Sequence, residues 1–224
     1  ILNLWMHTAE ETAAQHAALT AAHGPRFLVG IGVSHALLID NKIEAGAYQR
    51  PMEQTRLFLD ALDAAEVPLA PGDRALAALG PKMLELAATR TAGVHPYLVT
   101  PEHTLAAREA VGPTALVATE QGVVLDTNPD TARATARTNL AHYFLLPNYT
   151  NNWRRLGFTE DDIANGGSDR LIDALVVWGD ESAIAARVQQ HRDAGASHVC
   201  IQVLTDKAAE VPLEHLRVLA PALV

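Results

Sequence analysis

The chain has 224 residues, a formal charge of −9 and an apolar fraction of 49%, which suits one domain with a sizeable core. The acidic balance and the absence of any Lys/Arg cluster argue against nucleic-acid binding. No uninterrupted apolar run reaches the ~20 residues of a membrane span, and no signal peptide is visible.

The chain opens without an initiator methionine. Ile1-Leu2-Asn3-Leu4-Trp5 has the pattern of a strand already under way, so natural sequence is expected before it. Thr8-Ala9-Glu10-Glu11 is a capping box that opens an alanine-rich helix ending near His23-Gly24-Pro25. A strand follows at Phe27–Ile31, and residues 36–50 have the weak periodicity of a loop. Pro51 suits the first position of a helix running to about Ala65. After a Pro- and Gly-containing connection come a strand at Ala75–Leu79, a helix from Pro81 to about Arg90 and a strand at Val94–Val99. A helix starts at Pro101 and ends before Gly112-Pro113. Ala115–Leu125 is an apolar strand interrupted by Thr119-Glu120-Gln121, and Asn128-Pro129 starts a helix reaching about Leu146. Residues 147–180 break the rhythm with short helices and turns. Asp180 then caps a helix to about Ala194, followed by a strand at His198–Leu204 and a last helix near Leu213–Leu223.

Strands and helices alternate, and the strands are continuous apolar runs, as in a parallel sheet covered on both faces. A (β/α)8 barrel and an open doubly wound sheet both satisfy this pattern. About six strands fit a barrel lacking its first units. Cys200, the only cysteine, lies in the apolar run HVCIQVL and is expected to be a buried core thiol. With no disulfide framework, a cytoplasmic location is expected. The histidines have no metal-ligand spacing, so no metal is expected.

In either architecture ligands meet the carboxyl ends of the strands. The residues there are Asn3 and Trp5; Gly32, Val33, Ser34 and His35; Leu79 and Gly80; His95 and Tyr97; and Glu120 and Gln121. A strand that stops at glycine leaves room for a ligand against the backbone, and a helix starting at Gly80-Pro81 presents N–H groups suited to an anion. His35 is either a loop histidine or a proton donor. His95 is either a core histidine or a substrate contact. Glu120 interrupts an apolar strand and needs a partner or an open site, so it is either a pocket carboxylate or half of a structural salt bridge. The segment Pro147–Trp153, with Tyr149, is an amide-rich loop or a lid over a planar ligand.

The stretches ILNLW, PRFLVGIGVSH, ALGPKMLELAATRTAGVHPY and GDESAIAARVQQHRDAGASHVCIQVL, in this order, resemble the luciferase-like monooxygenase superfamily. More narrowly, they resemble the coenzyme F-420-dependent oxidoreductases of actinobacterial type. The resemblance covers essentially the whole chain. It implies an α/β fold of the (β/α)8 TIM-barrel type lacking its first two strand–helix units. Residues 1–224 would form one partial barrel domain, with 147–180 as an irregular helical insertion before the last unit. It further implies that Ile1, Leu2 and Asn3 line a deazaflavin ring, at a place where the family often has a non-prolyl cis peptide. Gly32, Val33 and Ser34 would approach the ring or its ribityl chain, and Ala78, Leu79, Gly80 and Pro81 would hold the phosphate.

The implied reaction is hydride transfer between coenzyme F-420 and a small organic substrate, with His35 and Glu120 as catalytic candidates and Trp5, His95 and Tyr149 as substrate contacts. The alternatives are an FMN-dependent flavin monooxygenase and a cofactor-binding barrel without turnover. A homodimer is the expected assembly.

Overall fold

The computed structural model describes residues 1–207 and 210–223. The chain divides into two compact units. One comprises Ile1–His95 with Ala110–Leu116, the other Pro96–Glu109 with the chain from Val117. The strands pair in parallel throughout, so the α/β class expected from the alternating pattern is the observed one.

The first unit runs through β1 (Leu2–Asn3), α1 (Ala9–His23), β2 (Val29–Gly32), α2 (Ala36–Lys42), α3 (Pro51–Ala64), β3 (Arg74–Leu76), α4 (Pro81–Arg90) and β4 (Gly93–Val94). Thr8 Oγ1 accepts the Glu11 N–H at 3.2 Å, and the Glu11 carboxylate accepts the Thr8 N–H, so two otherwise orphaned donors are met at the start of α1. Pro51 and Pro81 each occupy the first helical turn, where a missing N–H costs nothing. β2 pairs with β1 and β3, and β3 pairs with β4. Arg74, the first residue of β3, is wholly buried. Its guanidinium donates to Asp63 Oδ1 at 2.7 Å and to the carbonyls of Leu59, Leu69 and Arg90. A buried cation persists when it is paired and hydrogen-bonded in this way.

Where a loop was expected, residues 36–42 form α2. Its only buried residue is Ile39, while Leu37 and Leu38 are exposed. A helix with so narrow a buried stripe leaves little periodic signal.

The second unit carries most of α5 (Pro101–Val111) and β5 (Leu116–Val124), then α6 (Pro129–Leu140), α7 (Pro147–Arg155), α8 (Glu160–Ile163), α9 (Asp169–Leu175), β6 (Val176–Trp178), α10 (Glu181–Asp193), β7 (His198–Val203) and α11 (Leu213–Leu223). Asp180 accepts the Ala183 N–H and caps α10 as expected. β5 pairs with β6 over Gly122–Val124 and with β7 over Ala118–Val123. Gly122 and Val123 are thus paired on both sides, and β5 is the central strand. Val123, Val177, Ile184 and Leu219 form the buried core around it. In the cyclic order of a closed barrel β7 would follow β6. Here it joins β5, so the strand order in this unit is not that of a closed barrel.

Four expectations need correction in this unit. Strand β5 runs through Thr119-Glu120-Gln121 without interruption, because those polar side chains are buried with partners. The span 147–180 contains a sheet strand, β6, whose three residues are too few to show a period. The amide-rich segment 147–153 lies in a packed helix, not a loop, with Tyr149 and Trp153 on its buried face at the i, i+4 spacing. Cys200 is exposed. Along β7 His198, Cys200 and Gln202 share the exposed face while Val199, Ile201 and Val203 point the other way, as strand alternation dictates. No described helix is long and apolar enough to cross a membrane. Among the described residues no cluster of His, Cys, Asp and Glu is suited to a metal ion.

Candidate active site

Strand β5 sends successive side chains to opposite faces, and its two faces have different chemistry. Thr119 and Gln121 point toward α5 and α10. There Gln121 Oε1 meets His191 Nε2 at 2.8 Å, and His191 Nδ1 meets Thr104 Oγ1 at 2.8 Å, with Thr119 Oγ1 at 3.2 Å from Thr104. Burial, reinforced by nearby Arg187, pushes the imidazole down to about 4, so it is neutral. A neutral ring that donates to Gln121 and accepts from Thr104 satisfies every polar group in the network.

Glu120 and Gly122 face the other way and form one wall of a cavity of about 400 Å³. The other walls are Tyr97 and Leu98 before α5, Asn139 at the end of α6 with Tyr143 in the turn just after it, and Gln202 on β7. Glu120 is only 4% exposed. Its Oε2 accepts the Leu98 N–H at 3.2 Å, while its Oε1 has no hydrogen-bond partner among the described residues. Burial pushes the carboxyl up to about 7, against the opposing effect of the Leu98 N–H. Glu120 enters none of the ion pairs among the described residues, so the salt-bridge alternative is not realised.

The peptide that binds Glu120 is itself strained. Leu98 has φ 50°, in the left-handed region that bulky L-residues avoid at a cost of about 1–3 kcal/mol. Its buried side chain and two hydrogen bonds hold it there. Its N–H goes to Glu120, and its carbonyl accepts the Trp153 indole N–H at 3.3 Å.

Tyrosines complete the wall. The Tyr97 hydroxyl donates to Gln202 Oε1 at 2.8 Å, and the Tyr143 hydroxyl donates to Tyr97 at 3.1 Å. Tyr149 stands behind them, with its ring centroid 6.3 Å from Tyr97 and 5.0 Å from Tyr143. Burial raises all three phenols, and the charge of Glu120 adds to the effect. The cavity therefore presents phenol and amide groups, the His142 ring and Asp206, beside the carboxyl of Glu120, which gains or loses its proton close to neutrality.

The first unit holds the expected cofactor residues. Asn3 Oδ1 accepts the Trp5 N–H, and the Trp5 indole donates to the Val33 carbonyl at 2.7 Å. Trp5 also packs on Tyr48, whose hydroxyl donates to the Ser34 carbonyl. Ser34 takes a left-handed conformation, φ 59°, and His35 stands at the start of α2. The open space expected against the β2 glycines is taken. A Cβ on Gly32 would lie 2.6 Å from Ile1 Cγ2, and one on Gly30 would lie 2.5 Å from Ile1 Cδ1. The glycines make room for Ile1. Leu2 lies in β1 opposite Ile31. Ala78 is buried, Leu79 and Gly80 are half-buried, and Gly80-Pro81 starts α4. His95 donates its N–H to the Leu76 carbonyl. The described residues include no cis peptide bond.

Sequence reasoning singled out Glu120 and Tyr97 but missed Leu98, Asn139, Tyr143 and Gln202. The signal for Gln202 was present, since it lies two residues from Cys200 on one face of a strand. Nothing local marks Leu98, because its conformation is imposed by partners distant in sequence.

No protein-family model and no curated protein sequence matches the chain. Solved structures do. An F420-dependent secondary alcohol dehydrogenase in complex with an F420-acetone adduct superposes with a TM-score of 0.68 at 15% identity, over 97% of this chain and 76% of that one. Coenzyme F420-dependent tetrahydromethanopterin reductase from Methanopyrus kandleri gives 0.59 at 15%, over 94% and 77%. EDTA monooxygenase from Chelativorans sp. BNC1 gives 0.66 at 14%, over 97% and 70%. At these identities the likeness is one of fold.

Proposed function

We propose that the protein is an oxidoreductase that passes hydride between a deazaflavin of the F420 type and a small organic substrate, with Glu120 handling the accompanying proton. The observation that carries this reading is the half-satisfied carboxyl of Glu120. A buried acid with one oxygen bonded and the other unpartnered at a cavity wall is costly to keep, and its proton affinity close to neutrality suits a general acid–base. The shared fold with two F420-dependent enzymes supports the choice of cofactor.

The chain suits such a cofactor unevenly. The β2 glycines do not cradle it, because Ile1 fills their space. Within the first unit, Ala78, Leu79, Gly80 and Pro81 bring no polar side chain to the start of α4 that would compete with an anion, but Pro81 has no N–H and the Met83 and Leu84 N–H groups already bond the Gly80 carbonyl. When bound, the deazaflavin supplies the hydride, and the protein supplies position and electrostatics. Leu98 holds Oε2 of Glu120 so that Oε1 carries the exchangeable proton. Tyr97 and Tyr143, kept protonated by burial, order the wall without competing for that proton. This reading gives the proton to Glu120 ahead of His35, which is half-exposed at a helix start.

Titrating the protein with F420 and with FMN, followed by absorbance, tests the reading. Saturable binding of F420 and substrate-dependent turnover without oxygen are expected, with Glu120→Gln lowering kcat by about 100-fold or more. Binding of neither cofactor overturns the reading. Oxygen consumption with reduced FMN alone would move the protein to the monooxygenase class that EDTA monooxygenase represents. F420 binding without turnover would favour a binding protein.

A further inference from the structure

We propose that the cavity beside Glu120 selects small, uncharged carbonyl or alcohol compounds and rejects anionic ones. Calling such a compound a substrate rests on the oxidoreductase reading above; the ligand chemistry rests on the cavity alone.

Charge is the first argument. The acidic groups lining the cavity are Glu120 and Asp206, and no lysine or arginine lines it among the described residues. Lys207, next to Asp206, is paired with Glu210 at 3.6 Å. A carboxylate, phosphate or sulfonate entering here would lose its hydration without gaining a lysine or arginine partner, the one basic side chain on the wall being the His142 ring, and the net charge of −9 works in the same direction.

The hydrogen-bond inventory is the second. Tyr143 gives its proton to Tyr97, Tyr97 gives its proton to Gln202, and the Asn139 amide donates to the carbonyls of Thr135 and Thr205. These donors are committed, while the Gln202 amide N–H groups and the His142 ring stand on the wall beside them. Glu120 Oε2 accepts from Leu98, so in the neutral acid the proton belongs on the unpartnered Oε1. The wall therefore offers a carboxylic O–H that lacks only an acceptor. A carbonyl or hydroxyl oxygen provides one. A cation would instead need Glu120 ionised, which its burial opposes.

Three isosteric ketones separate the cases: 4-acetylbenzamide, 4-acetylbenzoate and 4-acetylbenzamidinium, which are neutral, anionic and cationic. Dissociation constants are measured by calorimetry on the cofactor-free protein, so failure of F420 binding and failure of this proposal are read separately. The amide is expected to bind at least about tenfold more tightly than the benzoate, and the amidinium no more tightly than the amide. Between about pH 6 and about pH 8, affinity for the amide should fall several-fold in the native protein and stay level in Glu120→Gln, which keeps a donor but cannot ionise. The other titratable groups facing Glu120 are Tyr97, Tyr143 and His142 on the walls, Tyr149 behind them, Cys200 opposite it on β7, and Asp206. A pH step that survives in Glu120→Gln would belong to one of these. Benzoate or amidinium binding more tightly than the amide, a pH step that survives the substitution, or no binding of the amide at millimolar concentration each overturns the proposal.

Discussion

The two faces of β5 bury neighbouring ionisable networks and treat them in opposite ways. On one, His191 is neutral with both ring nitrogens bonded, and Thr104, Thr119 and Gln121 close the network around it. On the other, Glu120 has one oxygen bonded and the other without a partner. Both groups are driven toward neutrality by burial. The difference is completeness. A fully satisfied polar network specifies a fold, whereas an incompletely satisfied one at a cavity wall is a place where a ligand can supply what is missing.

The largest expected effect sets the two faces directly against each other. His191→Leu leaves Thr104 and Gln121 short of a buried partner and should cost roughly 3 kcal/mol of unfolding free energy at neutral pH. Glu120→Gln should not destabilise the protein there and should instead stabilise it by up to roughly 3 kcal/mol, because Gln escapes the cost of ionising a buried carboxyl that burial pushes up to about 7. Urea denaturation measures both, and equal losses would break the comparison.

Acidity sharpens it further. His191 is pushed from 6.5 to about 4, so the unfolded chain binds the extra proton. Its contribution is present above pH 6.5 and is lost as pH falls toward 4. Glu120 is pushed from 4.5 to about 7, so the folded chain binds the extra proton. Its contribution is present below pH 4.5 and is lost as pH rises through 7. Each is on the order of 3 kcal/mol, so between these limits the two largely offset. Glu120→Gln should uncover stability that rises with pH across this window. A profile unchanged by the substitution would show that the carboxyl is not perturbed as described.

The smallest effect concerns the cavity wall. Tyr143→Phe removes one hydroxyl that donates to Tyr97 and should cost about 1 kcal/mol or less in stability. It should leave the Glu120 pH step in place. Loss of that step would make the tyrosine pair part of the acid's own environment.

Much of the fold was legible because its signals are local. The capping box at Thr8, the prolines opening α3 and α4 and the cap at Asp180 each set a boundary within a few residues of its cause. Glu120 was legible as a misfit, a charge inside an apolar run. What was hidden depends on partners far along the chain. Cys200 was taken for core because HVCIQVL is apolar on average, yet His198 and Gln202 at its i ± 2 positions marked its face as exposed. The β2 glycines invited a ligand, and Ile1 of the same chain fills the space. Thr119 and Gln121 looked like a break in β5 because their partners, Thr104 and His191, lie on two helices.

Leu98 has one more consequence, and it is optical. Its N–H holds Glu120, while its carbonyl accepts the Trp153 indole proton. Of the three tryptophans, Trp153 is the fully buried one, and it reaches the acid through a single residue. Its emission, ahead of that from Trp5 or Trp178, should track the charge on Glu120. Emission that shifts with pH in the native protein and stays level in Glu120→Gln would make Trp153 a native reporter of the acid's ionisation, with no cofactor, substrate or turnover in the cuvette; emission with the same pH response in both would rule that out.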